Sequence, residues 1–319
     1  LPGIDGPLLG IESGRFWAQA AVPGTGKTAV SLNIVRGVAK HNKGKVAILY
    51  FHPEQPKEEI THLLLSTGTE NVPPIRLKAM MTTKEQRQQY VKVASFVGMS
   101  TQATNGNRGK MAKNVVDFLM MDPQPAEIEA LTESQSELGG APIILNDPSG
   151  QNIFQILATI RRVRTKLPNN IFLLVVFDGA HLIPGTGEGN RTQELYTITR
   201  NLKIAAQKVV TADGEAPGAL LANTQLNRQI FNDVANRVYL MKHLRDSGSW
   251  EQDSDVVVFI DRGSVFKNEG NNGNGNGNST KWDPFWTTYA KNRQTSQVGF
   301  KSHYEMHVST MKVRGRDLV

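Results

Sequence analysis

The sequence predicts an α/β fold with a largely parallel central sheet flanked by helices. Three observations predict it. Residues 20–28 read Ala20-Ala21-Val22-Pro23-Gly24-Thr25-Gly26-Lys27-Thr28 and join an apolar run to an amphipathic one. Further apolar runs end at or just before Glu54, Asp178 and Gln225. Helix-period segments separate these runs, the alternation that builds parallel sheets.

The first of these elements is a phosphate-binding loop, A-x-x-x-x-G-K-T, with Ala21 where the usual pattern has Gly. Gly24 and Gly26 let backbone N–H groups turn inward around a polyphosphate, with Ala21, Pro23 and Thr25 completing the cradle. Lys27 reaches the β and γ phosphates as a point charge, and the Thr28 hydroxyl takes one position on Mg²⁺. Residues 16–21 suit a short buried strand, and Ala29, Leu32, Ile34, Val35 and Val38 suit a helix packed on a sheet.

A chain of 319 residues, 39% hydrophobic, suits one large domain with insertions. The net charge of +7 favours polyanionic partners, yet the lysines and arginines are scattered and equally suit a solvated surface. With no cysteine, disulfides and thiolate metal sites are excluded. No stretch approaches the ~20 apolar residues of a membrane span, and no signal core opens the sequence, so a soluble cytoplasmic location is expected. The sequons at Asn190 and Asn278 are accordingly read as chance.

Along the chain, Gly and Pro mark residues 1–14 as an irregular entry. Residues 45–51 form a second strand, and Glu54 follows it. Two readings of Glu54 stand equal: a carboxylate that orients or deprotonates the attacking water, or a first-turn acid of the next helix. Helices are expected over residues 57–67 and 84–97. Residues 98–141 read as an insertion with one helix near 112–121, and residues 141–145 as a third strand. Residues 152–166 form a periodic helix whose Arg161, Arg162, Arg164 and Lys166 are read as a solvated basic end.

Residues 171–177 are the most apolar strand, ending in Asp178, a carboxylate able to hold the Mg²⁺ hydration shell opposite Thr28. His181 lacks neighbouring ligands and is assigned a structural or coupling role. A helix over residues 194–210 precedes a strand over 219–224 that ends in Gln225, an amide able to sense the γ-phosphate. Residues 256–260 form another strand, and 270–280 are a flexible Asn/Gly tract. Trp282, Phe285, Trp286 and Tyr289 alternate as core-packing aromatics more than as base-stacking ones. Residues 304–308 close the sheet, and Lys312, Arg314 and Arg316 are expected in a mobile tail.

Residues 224–228, TQLNR, and 244–255, LRDSGSWEQDSD, resemble the strand-end "SQLNR" and the "LRESGSIEQDAD" segments of replicative DNA helicases of the DnaB type. Residues 15–28, 51–54, 174–178 and Lys291-Asn292-Arg293 fall in the order of that family's remaining motifs. The resemblance implies a RecA-like motor domain that forms a homo-hexameric ring, hydrolyses ATP with Mg²⁺ between subunits and moves along single-stranded DNA, with primase and a helicase loader as further partners. It also implies that Glu54 is the hydrolytic base, Arg293 the finger entering a neighbour's site with Lys291 beside it, and Arg245, Asp246 and Gly248 the DNA-holding loop.

The family's N-terminal domain has no counterpart among these segments. Gly179-Ala180-His181 replaces the usual Tyr-Leu-Gln, and Gln294-Thr295-Ser296 replaces Asn-Gly-Pro. The alternatives are a RecA-like ATPase of another class, such as a recombinase or clock-type ring, and a scaffold with little hydrolysis.

Overall fold

The computed structural model describes residues 10–82, 120–185, 190–227, 240–244, 247–262, 282–293, 298–299, 301–307 and 309–315. Strand β1 (Phe16–Ala21) is buried along its whole length, as are β2 (Val46–Phe51) and nearly all of β4 (Phe172–Asp178). Continuous apolar runs of this kind belong to parallel strands covered on both faces. With β3 (Ile143–Asn146), β5 (Gly218–Gln225), β6 (Val256–Arg262), β7 (Trp282–Asn292), β8 (Lys301–His307) and β9 (Val313–Gly315) they form one sheet. Its order is β3-β2-β4-β5-β1-β6-β7-β8-β9. Pairing is parallel from β3 through β6 and antiparallel from β6 to β9.

Because successive strand residues face opposite sides, each strand feeds two cores. On one side Phe16, Phe51, Val175 and Phe177 pack with Ile153, Ile156 and Ile160 of α5 (Ile153–Arg164) and Ile198 and Leu202 of α6 (Arg191–Ile204). On the other, Trp17, Tyr50, Val176 and Leu221 meet Val30 and Ile34 of α1 (Lys27–His41) and Ile60 and Leu64 of α2 (Lys57–Ser66). Asn152 caps α5 by accepting from the Phe154 and Gln155 amides. A π turn, Ala205–Val209, extends α6.

Two further helices complete this face. Arg76 of α3 (Pro74–Met80) donates to both carboxylate oxygens of Glu127 in α4 (Pro125–Leu138) at 2.8 Å. Buried Arg36 ties α1 to α2 and α4, donating to the Leu64 carbonyl at 2.7 Å and Glu137 at 2.8 Å. Helix α4 lies in the stretch read as an insertion; residues 98–119, the expected helix over 84–97 and the 270–280 tract fall outside the described residues.

Two sequence expectations need correction. Arg164 is buried rather than solvated, because its guanidinium donates to the Pro168 and Ile171 carbonyls at 2.6 and 2.8 Å and closes the turn into β4. The tail is ordered through Gly315: β9 pairs with β8, Lys312 pairs with Glu70 at 3.2 Å, and Arg314 lies 3.9 Å over the Trp282 ring. Phe285 and Tyr289 are core residues as expected, Phe285 stacking on Tyr304 with ring centroids 5.2 Å apart.

Candidate functional site

The parallel strands end together, and their last residues make the site. Leaving β1, the chain turns at Gly24 and Gly26, whose φ of 77° and 103° lie in the left-handed region that favours glycine. A Cβ at Gly26 would come within 2.9 Å of Met306 Cε, the movable end of a methionine, so the backbone conformation is what calls for glycine there. Lys27 opens α1 and folds back, its Nζ donating to the Ala21 and Val22 carbonyls at 3.3 and 3.4 Å. Burial holds the Lys27 ammonium below its usual pKa, opposed by the charges of Glu54 and Asp178. Thr25 is buried with its Oγ1 unpartnered inside the cradle, and Thr28 is half-buried. An inward-turned loop with an orphaned hydroxyl and a folded-back ammonium fits a polyphosphate, and the Thr28 hydroxyl with the Asp178 carboxylate is a donor set that fits the cation accompanying one.

Register brings the strand-end residues to this loop. Ala21 lies opposite Gln225, and Asp178 opposite Asn223. Both Asp178 oxygens accept hydrogen bonds, one from Tyr50 at 2.9 Å and one from Asn223 at 2.6 Å. Glu54 lies beyond β2 and outside the first turn of α2, which Glu58 and Glu59 occupy. Its Oε1 is 3.6 Å from His181 Nε2. Burial first, and then the charge of Asp178, push the Glu54 carboxyl above the usual carboxylate range, with Lys27 opposing. Gly179 has φ of 106°, and a Cβ on it would meet Glu54 Oε1 at 3.0 Å. The departure at Gly179-Ala180-His181 thus adjoins Glu54 directly.

Arg293 lies elsewhere. Asn292 pairs with Val256, and Val256 pairs with Trp17, so Arg293 sits where β1 begins, at the strand ends opposite the loop. The six residues of β1 separate the two by about 20 Å. The Arg293 side chain is half exposed, donating to the Gln252 carbonyl at 3.3 Å with Asp255 3.9 Å away. Lys291 lies beside it and donates to the Glu251 carbonyl. Burial, then the Arg293 charge, lower the Lys291 pKa. Gly248 is exposed in α7 (Ser247–Asp253), while Arg245 and Asp246 fall outside the described residues.

Sequence reasoning missed Gln19, Ser31, Tyr50 and Asn223, which are buried around Asp178. The available signal was Gln19 and Asn223 interrupting otherwise apolar strands. It also missed Asp255, which accepts from the Phe16 amide at 2.8 Å and from Lys203 at 2.5 Å.

A glycine-cradled lysine beside a strand-end carboxylate on a parallel sheet defines a P-loop nucleotide-binding protein. The sequence matches the family described as "DnaB-like helicase C terminal domain" over residues 1–105 and 111–312, and the chain belongs to that family. It is 28% identical over 274 residues to "Replicative DNA helicase DnaB" of Geobacillus stearothermophilus, covering 85% of this chain and 48% of that protein. It is 27% identical over 274 residues to "Replicative DNA helicase DnaC" of Bacillus subtilis (strain 168), with the same coverage. The chain thus spans about half the length of these relatives.

Among solved structures, "The Structure Of A DnaB-Like Replicative Helicase And Its Interactions With Primase" superposes with a TM-score of 0.71 at 19% identity over 99% of this chain and 61% of the other. A second solved structure, of an isolated ATPase domain, gives the same TM-score and identity over 99% of this chain and 89% of that one. The fold is that of RecA-like helicase ATPase domains.

Proposed function

We propose that the chain is the motor domain of a ring-forming replicative helicase, hydrolysing ATP with Mg²⁺ at seams between identical subunits and moving along single-stranded DNA to unwind duplex. The observation that carries this reading is the placement of Arg293 at the opposite strand ends from Lys27, Glu54, Asp178 and Gln225. The finger cannot reach its own chain's loop, so the site is complete only when a second copy supplies one. Thr28 and Asp178 would hold Mg²⁺, which would supply charge neutralisation at the transferring phosphoryl group.

Lys27 holds the β and γ phosphates, and Glu54 orients the attacking water and takes its proton. Gln225 reports the γ-phosphate along β5, while the neighbouring Arg293 neutralises charge in the transition state, with Lys291 beside it. Arg245, Asp246 and Gly248 form the loop that grips the DNA backbone. Such binding is sequence-independent and weakens with salt. Primase and a loader are the expected protein partners of the full-length protein, a homo-hexamer in the cytoplasm of a bacterial or phage-infected cell. Among the described residues no helix is long and apolar enough to cross a membrane.

Steady-state ATP hydrolysis with and without single-stranded DNA, beside unwinding of a forked duplex, tests the reading. Stimulated hydrolysis with unwinding is expected. Hydrolysis by isolated subunits at full rate, indifferent to DNA, contradicts it.

A further inference from the structure

Under the phosphate loop lies a polar cluster that the apolar character of its strands does not call for. Gln19 in the middle of β1, Ser31 on α1, Tyr50 on β2 and Asn223 on β5 are each almost wholly buried, as is Asp178. Burying amides and hydroxyls among apolar side chains costs stability unless each finds partners, and here they find one another. Gln19 Nε2 lies 3.0 Å from Asn223 Oδ1, 3.3 Å from Ser31 Oγ and 3.2 Å from the Lys27 carbonyl. Asn223 Nδ2 reaches Ser31 Oγ at 2.9 Å and Asp178 Oδ1 at 2.6 Å. Tyr50 closes the chain by donating its hydroxyl to Asp178 Oδ2 at 2.9 Å.

Two consequences follow from this geometry. Each oxygen of Asp178 is held from inside the protein, which fixes the rotation of the carboxylate and leaves its outward lone pairs for the site. The same chain of bonds runs from Asp178 to the backbone of Lys27, so the two halves of the cation site share one internal reference.

We propose that Tyr50 and Asn223 are positioning residues for the divalent cation, aiming Asp178 at it and locking that carboxylate to the phosphate loop through Gln19 and Ser31. This rests on Asp178 being the cation carboxylate of the proposed function. Residues holding a metal ligand from behind typically cost about 10- to 100-fold in metal affinity or activity when removed.

The test uses the purified chain and its variants Y50F, N223L and D178N. Two quantities are measured: the Mg²⁺ concentration giving half-maximal ATP hydrolysis, and the gain in affinity for a fluorescent ADP analogue on adding Mg²⁺ or Mn²⁺. Y50F, which keeps the ring and its packing, is expected to raise the Mg²⁺ requirement about 10-fold and reduce the metal-dependent gain, leaving metal-free ADP binding unchanged. N223L is expected to do the same or more. If D178N changes both quantities while Y50F leaves them at wild-type values, positioning is overturned and Asp178 keeps its role. If D178N leaves them unchanged, the cation site is misassigned and the inference falls with it. Should N223L fail to fold, Y50F alone decides.

Discussion

Glu54 is the residue whose chemistry the neighbours set most directly. Its carboxyl is raised by burial and by Asp178, and a base must be ionised to accept a proton. Hydrolytic kcat/KM, which reports the free enzyme, should therefore fall as pH drops through that raised pKa, with an acid limb lying above the usual carboxylate range. E54Q should lose most turnover and flatten that limb; an unchanged limb in E54Q would assign it to another group. Gly179 sets the position of Glu54 in turn. With φ of 106° and Glu54 Oε1 3.0 Å from its absent Cβ, G179A should cost about 1–2 kcal/mol of stability and slow turnover by displacing the base. Denaturant melts together with kcat measure the two effects, and wild-type turnover in G179A would detach Gly179 from the site.

Among the elements, α3 and α4 are joined by a buried ion pair. Arg76 hydrogen-bonds both Glu127 oxygens, and the Arg76 hydrogen bond holds the Glu127 carboxyl below its usual range. Breaking a buried pair by deleting one partner leaves an uncompensated charge, so R76A should destabilise the domain by about 3–5 kcal/mol, read by denaturant unfolding. Because the folded pKa of Glu127 is depressed, its contribution is full above the unfolded pKa and is lost as pH falls through the folded one. The difference between wild type and R76A should accordingly narrow in acid; a difference independent of pH would place the loss elsewhere. Helix α4 was not legible beforehand, since its prolines and acids read as irregular chain. Its N-terminal Pro125 suits a first helical position, and Arg36 and Lys40 of α1 both pair with its Glu137, polar anchors that no apolar stripe advertises.

At the scale of the whole molecule, Lys27 and Arg293 lie at opposite strand ends of one sheet. R293A should lower turnover by about 10³-fold or more while leaving nucleotide binding and ring assembly intact. Mixing inactive R293A with inactive K27A subunits should restore part of the activity, because some seams then join an intact Lys27 to an intact Arg293. No recovery in mixed rings of verified composition would mean that the finger does not act across the seam. The strand joining the two ends is clamped at its start, where Asp255 receives the Phe16 amide and Lys203, and ends in the phosphate loop. Arg293, whose amide donates to the Asp255 carbonyl, and the phosphate loop are thereby linked through the same strand, as the proposed action across a seam requires.

The sequence by itself determined the parallel strands and the loop that follows the first of them. Continuous apolar runs and the G-K-T turn are local signals, written in consecutive residues and enforced by burial and backbone conformation. It also showed β7 as a packing strand through its alternating aromatics. Only the tertiary structure decided which polar residues face each other. Arg164 looked solvated on a helical wheel but caps carbonyls, His181 meets Glu54, and Tyr50 and Asn223 meet on Asp178 while Gln19 and Ser31 join the cluster through Asn223. That convergence depends on strand order and register, which couple residues up to 204 positions apart and leave no trace in local periodicity.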